Sequence, residues 1–221
     1  MGSNVLVLGK GQLAARVVRW FAFESAEHDL VAIVPVAPEP VWDRSLSSLI
    51  AASPLDGCAV VASGDYRDVP GDLKIDLAVS IFYDRILSAD FIARCGRALN
   101  LHNAPLPRYR GVSPINWALK NGEREHGVTI HELTPEIDAG PIVSQVKFSI
   151  WPGIDEVRDV YERCLAHGWR LFYDTIRRLD RIEAAPQDAS QATYHSRNQD
   201  TQLGDRRGWT RRLSTNNTRV G

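Results

Sequence analysis

The sequence has no run of about 20 apolar residues, the length a membrane-crossing helix needs, so no membrane span is expected. Its three cysteines, Cys58, Cys95 and Cys164, lie far apart and form no CxxC pair. An odd, scattered set of that kind argues against a disulfide framework or a zinc knuckle and for a reducing compartment. An excess of charge of one sign is also missing: 26 Lys and Arg stand against 27 Asp and Glu, a formal net charge of -1. That balance argues against a general nucleic-acid binder, though it permits a local basic patch. No H-E-x-x-H or comparable ligand spacing is present, so no metal site is expected. The opening MGSNVLVLGK lacks a charged region followed by a long apolar one, so no secretory leader is expected and the location is read as cytoplasmic.

What is present is a globular chain of 221 residues, 44% hydrophobic and 24% charged, sized for one domain with an appendage. Short apolar runs alternate with amphipathic stretches. NVLVLG (4–9), LVAIVPV (30–36), CAVVAS (58–63), DLAVSIFY (76–83) and RALNLH (97–102) read as strands. QLAARVVRWFAFESA (12–26), VWDRSLSSLIAAS (41–53) and RILSADFIARCG (85–96) read as helices, the last ending at Gly96. The alternation predicts an α/β, Rossmann-like core with a largely parallel sheet, and active residues beyond the carboxyl ends of its strands. Downstream, SPINWALKNG (113–122) is a short helix, GVTIHEL (127–133) and PIVSQVKFSI (141–150) are strands, and 154–182 is a long helix with a bend expected at Gly168. The division expected is a catalytic domain over 1–183 and a C-terminal extension over 184–221. The extension holds six Arg, no Lys and three Asp, which makes it locally basic.

Two segments carry chemical signals. GKGQLA (9–14) fits G-x-G-x-x-A between a strand and a helix. A dinucleotide site also wants an acid at the end of the second strand. Asp29 falls before that strand and Glu39 falls late, inside APEP, so the motif reads better as a tight turn, with room for a phosphate or an acidic group at the helix start. The stronger signal is LNLHNAPLPRYRG (99–111). Asn100 and His102 project the same way from a strand end, since residues i and i+2 share a face. Asp138 sits in the turn-prone TPEIDAG, either capping its own backbone or presented beside His102. An Asn amide, an imidazole and a carboxylate together suit acyl transfer to an amine: the amide stabilises an oxyanion, the ring moves a proton and the carboxylate orients the ring. No Ser or Cys accompanies them, so direct attack by the acceptor is the more natural route. His131, inside VTIHEL, reads as a hydrogen-bonded core histidine, and His126, in EREHG, as exposed.

Residues 100–145, NLHNAPLPRYRGVSPINWALKNGEREHGVTIHELTPEIDAGPIVSQ, resemble the formyltransferase family that uses 10-formyl-tetrahydrofolate, with likeness extending over roughly 75–180. Asn-x-His and D-x-G match at Asn100, His102 and Asp138-x-Gly140, whereas Ala104 and Pro105 replace the usual Ser-Leu of the intervening loop. The resemblance implies Asn100, His102 and Asp138 as catalytic residues, and Phe82, Tyr83 and Ile86, with Asp138, as the donor's contacts. VSIFYDRIL (79–87) and ATYHSRN (192–198) look most like the nucleotide-linked sugar N-formyltransferases. By resemblance the acceptor is a dTDP-linked 4-amino-4,6-dideoxy sugar, with Arg108, Tyr109, Tyr194 and Trp209 as its contacts. For Arg108 and Tyr109 a solvated surface turn is the alternative, and Trp117 is read as packing. Formylation of glycinamide ribonucleotide or methionyl-tRNA stays open, as does a non-catalytic folate- or nucleotide-binding protein. No nucleic-acid or membrane partner is expected. A homodimer is expected, with residues 184–221 contributing to its interface.

Overall fold

The structure, a computed structural model, describes residues 2–203. The chain divides into two compact units, one of Met1–Leu101 with Glu132–Pro135, the other of His102–His131 and the residues from Glu136 on.

The first unit is a parallel sheet with helical crossovers. Strand β1 (Ser3–Gly9) is central, with β2 (His28–Pro35) on one side and β4 (Ile75–Ile81) on the other. Strand β3 (Ala59–Val60) adds outside β2, and β5 (Cys95–His102) outside β4, every pair parallel. Val5, Leu6, Val7 and Leu8 are all fully buried, which is why β1 reads as a continuous apolar run rather than an alternation. Helix α1 (Gly11–Phe23) buries Leu13, Ala14, Val17, Val18 and Phe21, a helical stripe. Helices α2 (Ser45–Ala52) and α3 (Ala89–Ala93) complete the unit. Chain order reverses between β1 and β4, the switch point at which such sheets bind ligands.

The boundary at Gly96 differs in kind from the sequence reading. Gly96 does not end a helix; α3 stops at Ala93 and Gly96 lies within β5. A Cβ there would come within 2.7 Å of the Asp76 carbonyl oxygen, so strand contact, not helix termination, calls for glycine.

In the second unit β7 (Glu125–Glu132) pairs antiparallel with β8 (Ile142–Ser149). The two-residue β6 (Arg110–Gly111) pairs in parallel with β9 (Tyr194–His195). Helix α4 (Pro114–Lys120) follows β6. Helix α5 (Val157–Ile176) begins at a capping box between Glu156 and Asp159 and buries Val157, Val160, Cys164, Gly168, Phe172 and Ile176. It runs through Gly168 without interruption, and a separate 3-10 turn, Leu179–Arg181, follows it. Among the described residues no helix is long and apolar enough to cross a membrane.

Candidate active site

Asp138 is the hub of the second unit. It adopts a left-handed backbone, φ 51°, which an Asp tolerates better than most residues. Its Oδ2 accepts the Gly111 N–H at 2.8 Å and lies 3.7 Å from His102 Nδ1. Its Oδ1 lies 3.4 Å from Nε2 of His131, which is only 1% exposed. Burial alone would raise the Asp138 pKa. The charge of His102, the bond and charge of His131 and the Gly111 N–H outweigh it and hold the carboxyl well below the usual carboxylate range. The folded state thus favours the ionised form. The stability this contributes is present above the ordinary carboxylate pKa and is lost only as pH falls through the depressed folded value.

His102 is oriented from both sides. Its Nε2 lies 2.8 Å from the Tyr109 carbonyl oxygen. A carbonyl only accepts, so Nε2 carries a proton and donates it, leaving Nδ1 as the nitrogen that faces Asp138. The segment 109–111 therefore holds His102 through one carbonyl and Asp138 through one N–H. Asn100 lies two residues before His102 on β5, half-buried and in register with Ser80 of β4.

Tyr109 is not part of a solvated turn, whereas Arg108 beside it is exposed. Tyr109 is 2% exposed, has φ 63°, and stacks on His195 with ring centroids 5.8 Å apart. Its hydroxyl donates to Glu123 at 2.6 Å and accepts from Asn121 at 3.1 Å; burial, then the Glu123 bond, pushes its pKa up to about 12. Arg108 is paired with the same Glu123, so an anionic ligand would compete with that carboxylate for it. Trp117 is buried and stacks on the other partner of Tyr109, His195, with centroids 4.1 Å apart. Tyr194, on β9, is 51% exposed, and Trp209 lies outside the described residues.

In the first unit the loop after β4 carries Phe82, with φ 56°, then Tyr83 and Ile86. Tyr83 is partly buried and its hydroxyl is bound at both ends, donating to the Gly64 carbonyl at 2.8 Å and accepting the Tyr66 N–H at 3.1 Å. Ile86 is 66% exposed. The glycine motif lies at the same switch point. A Cβ on Gly9 would meet the Ile81 carbonyl oxygen at 2.2 Å, so close strand approach requires the glycine. Gly11 N–H donates to Glu39 Oε1 at 2.7 Å and Gln12 N–H to Asp43 Oδ2 at 2.9 Å. Both carboxylates are buried. The start of α1 thus holds acidic groups of its own chain, and Glu39, too late in sequence for a ribose contact, is one of them.

His126 corrects the exposed assignment: it is fully buried at the start of β7, where side chains alternate between faces. Its Nε2 donates to the Asn103 carbonyl at 2.8 Å, its Nδ1 has no partner, and burial, helped by nearby His102, pushes its pKa down to about 4. The fold therefore favours neutral His126. Its stabilising contribution is complete above about 6.5, the unfolded value, and is lost as pH falls toward 4. Urea unfolding is expected to show a loss of roughly 3 kcal/mol across that window from this residue. His126→Gln, which keeps a donor for Asn103 and cannot titrate, should flatten the slope. An equally steep profile in the variant would count against the assignment.

Two contributors to this site escaped sequence reasoning. His131 was visible as a core histidine, but nothing in VTIHEL marks its ring as facing a carboxylate. Gln187 sits in a polar stretch without periodicity, yet its amide bonds to Asp138, Gly140 and Arg110.

The chain spans 63% of the length of a methionyl-tRNA formyltransferase from Pseudothermotoga lettingae, with 31% identity over 197 residues and 86% of the present chain. A crystal structure of an N-formyltransferase from Helicobacter canadensis, in complex with folinic acid and dTDP-3-aminofucose, superimposes with a TM-score of 0.74 and 26% identity. The match covers 90% of this chain and 72% of that one. The formyltransferase PseJ from Anoxybacillus kamchatkensis shares the fold, with a TM-score of 0.62, 24% identity, and coverage of 90% of this chain and 89% of that one. The family model described as formyl transferase matches residues 61–176, more than half the chain and the stretch that contains Asn100, His102, His131 and Asp138. On this evidence, the chain belongs to the formyl transferase family.

Proposed function

We propose that this protein transfers the formyl group of 10-formyl-tetrahydrofolate to the amino group of a nucleotide-linked sugar, a dTDP-linked 4-amino-4,6-dideoxy sugar in the specific form. The observation that carries the reading is the half-buried Asp138 carboxylate facing His102 Nδ1 at 3.7 Å, in a chain whose similar structure from Helicobacter canadensis holds folinic acid and dTDP-3-aminofucose. The neutral sugar amine attacks the formyl carbon. Asn100 donates its amide hydrogens to the oxygen as negative charge develops. His102, fixed at Nε2 by the Tyr109 carbonyl, exchanges the proton at Nδ1, and Asp138 stabilises the charged ring and helps carry the proton lost by the amine. The bond from the formyl carbon to the folate nitrogen breaks, that nitrogen takes a proton, and tetrahydrofolate and a formamido sugar leave.

The donor rests against the Phe82–Ile86 loop, and exposed Ile86 and Tyr194 are the apolar surfaces offered to donor and acceptor. Arg108 reaches the acceptor's diphosphate by giving up part of its pairing with Glu123, and Trp209 remains a proposed acceptor contact. Assembly as a homodimer is part of the proposal.

A second reading is favoured by the likeness to the Pseudothermotoga lettingae enzyme: the same donor with methionyl-tRNA as acceptor. An acceptor panel separates the two. With 10-formyl-tetrahydrofolate, we expect formyl transfer to dTDP-linked 3- or 4-amino sugars and none to methionyl-tRNA or glycinamide ribonucleotide. Transfer to methionyl-tRNA alone would overturn the sugar assignment, and full activity with formyl-coenzyme A but none with the folate would overturn the donor.

A further inference from the structure

The two side chains proposed to handle the proton do not hold their own positions. Asp138 sits in a left-handed conformation within a turn, and an unusual backbone persists only where its surroundings over-determine it. The segment that orients His102 and Asp138, residues 109–111, contains two more positive φ angles, at Tyr109 and Gly111.

One side chain joins these two pieces. The Gln187 amide nitrogen donates to the Asp138 carbonyl at 2.9 Å and to the Gly140 carbonyl at 2.7 Å. Its amide oxygen accepts from Arg110 Nε at 3.1 Å and from Arg110 Nη2 at 2.7 Å. Both N–H donors and both lone pairs are thereby used. The guanidinium polarises the amide and strengthens the bonds on its far side. Gln187 thus ties the backbone carbonyls of Asp138 and Gly140 to the residue next to Gly111, whose N–H binds the Asp138 carboxylate.

The same stretch of chain closes the arrangement a second time. Thr193 Oγ1 accepts the Tyr109 N–H at 2.7 Å, the Thr193 carbonyl accepts the Arg110 N–H at 2.9 Å, and the His195 carbonyl accepts the Val112 N–H at 2.9 Å. The approach is close enough that a Cβ on Gly111 would meet the His195 carbonyl oxygen at 2.2 Å. Residues 187–195 therefore brace the segment that holds His102 and Asp138.

We propose that Gln187 is a positioning residue for formyl transfer, holding Asp138 at its working distance from His102 by locking the Asp138–Gly140 turn to Arg110. The role rests on the proposed reaction but goes beyond it, since it assigns part of the site's geometry to the C-terminal extension.

The test uses the full chain with Gln187→Ala and the isosteric Gln187→Glu, which sets an acceptor against two carbonyls while keeping a partner for Arg110. With 10-formyl-tetrahydrofolate and the best acceptor of the panel, both should lower turnover by about tenfold with KM changed less than about twofold, the pattern of a lost contribution to the chemical step. In an Asp138→Asn background the loss from Gln187→Ala should shrink below about twofold, because residues acting as a unit are not additive. Wild-type turnover in both variants, or the same fold loss in both backgrounds, overturns the proposal. Amide exchange, measured without substrate, covers the case in which the wild-type protein transfers no formyl group and the functional reading itself fails. Gly111 N–H should exchange about tenfold faster in Gln187→Ala while Val7 and Ala78 keep their protection, as expected for local rather than global opening. Unchanged exchange at Gly111, or faster exchange at all three, overturns the positioning role on structural grounds alone.

Discussion

His102→Asn is expected to lower turnover by about 100-fold or more, the scale of a removed proton-transfer group, and to leave the KM of donor and acceptor within a few-fold of wild type. The ring has two separate engagements, Nε2 with the Tyr109 carbonyl and Nδ1 facing Asp138. Asn is shorter and does not exchange a proton near neutral pH, so it loses the chemistry at Nδ1 while leaving a polar side chain against the loop. Single-turnover measurements with saturating donor and acceptor read the chemical step directly. Wild-type turnover in this variant would sink the assignment of His102. A large rise in KM with unchanged turnover would move the residue from chemistry to binding.

Asp138→Asn is expected to have an effect of similar size, again about 100-fold in turnover. The substitution is nearly isosteric, and Asn is the other side chain that tolerates the φ of 51° found here. Its amide oxygen can still accept the Gly111 N–H, so the turn is expected to persist and the loss to report the missing charge. That charge faces His102 on one oxygen and His131 on the other. If His102 and Asp138 work as one unit, the double variant should be hardly slower than the slower single variant. Losses that multiply would show two independent roles. A circular dichroism melt of each variant distinguishes lost chemistry from a lost fold.

The parallel core was legible because its cause is local. Short continuous apolar runs such as NVLVLG, bounded by glycine, fit strands buried on both faces, and the stripe Leu13, Val17, Phe21 fits one face of a helix. Gly96 misled because a glycine after an apolar helix and a glycine inside a strand look alike in one dimension; the Asp76 carbonyl that decides between them lies on the neighbouring strand. His126 misled for a related reason: charged neighbours in EREHG suggested solvent, while its own side chain faces inward and bonds to the Asn103 carbonyl.

The sequence by itself determined the alternating α/β pattern and the placement of Asn100 and His102 on one strand two residues apart; a joint role for both with Asp138 is what the resemblance implies. Those features depend on period, spacing and residue type, which are properties of neighbours along the chain. Only the tertiary structure decided that Glu39 and Asp43 fill the start of α1, that His131 shares Asp138 with His102, and that Gln187 and Thr193–His195 brace the segment 109–111. Each of these contacts needs a specific donor to meet a specific acceptor at hydrogen-bonding or ion-pair distance, up to 84 positions away along the chain. Polar contacts of that reach have no period and leave no pattern in the sequence, because the register of packed strands and turns, rather than local preference, brings the partners together.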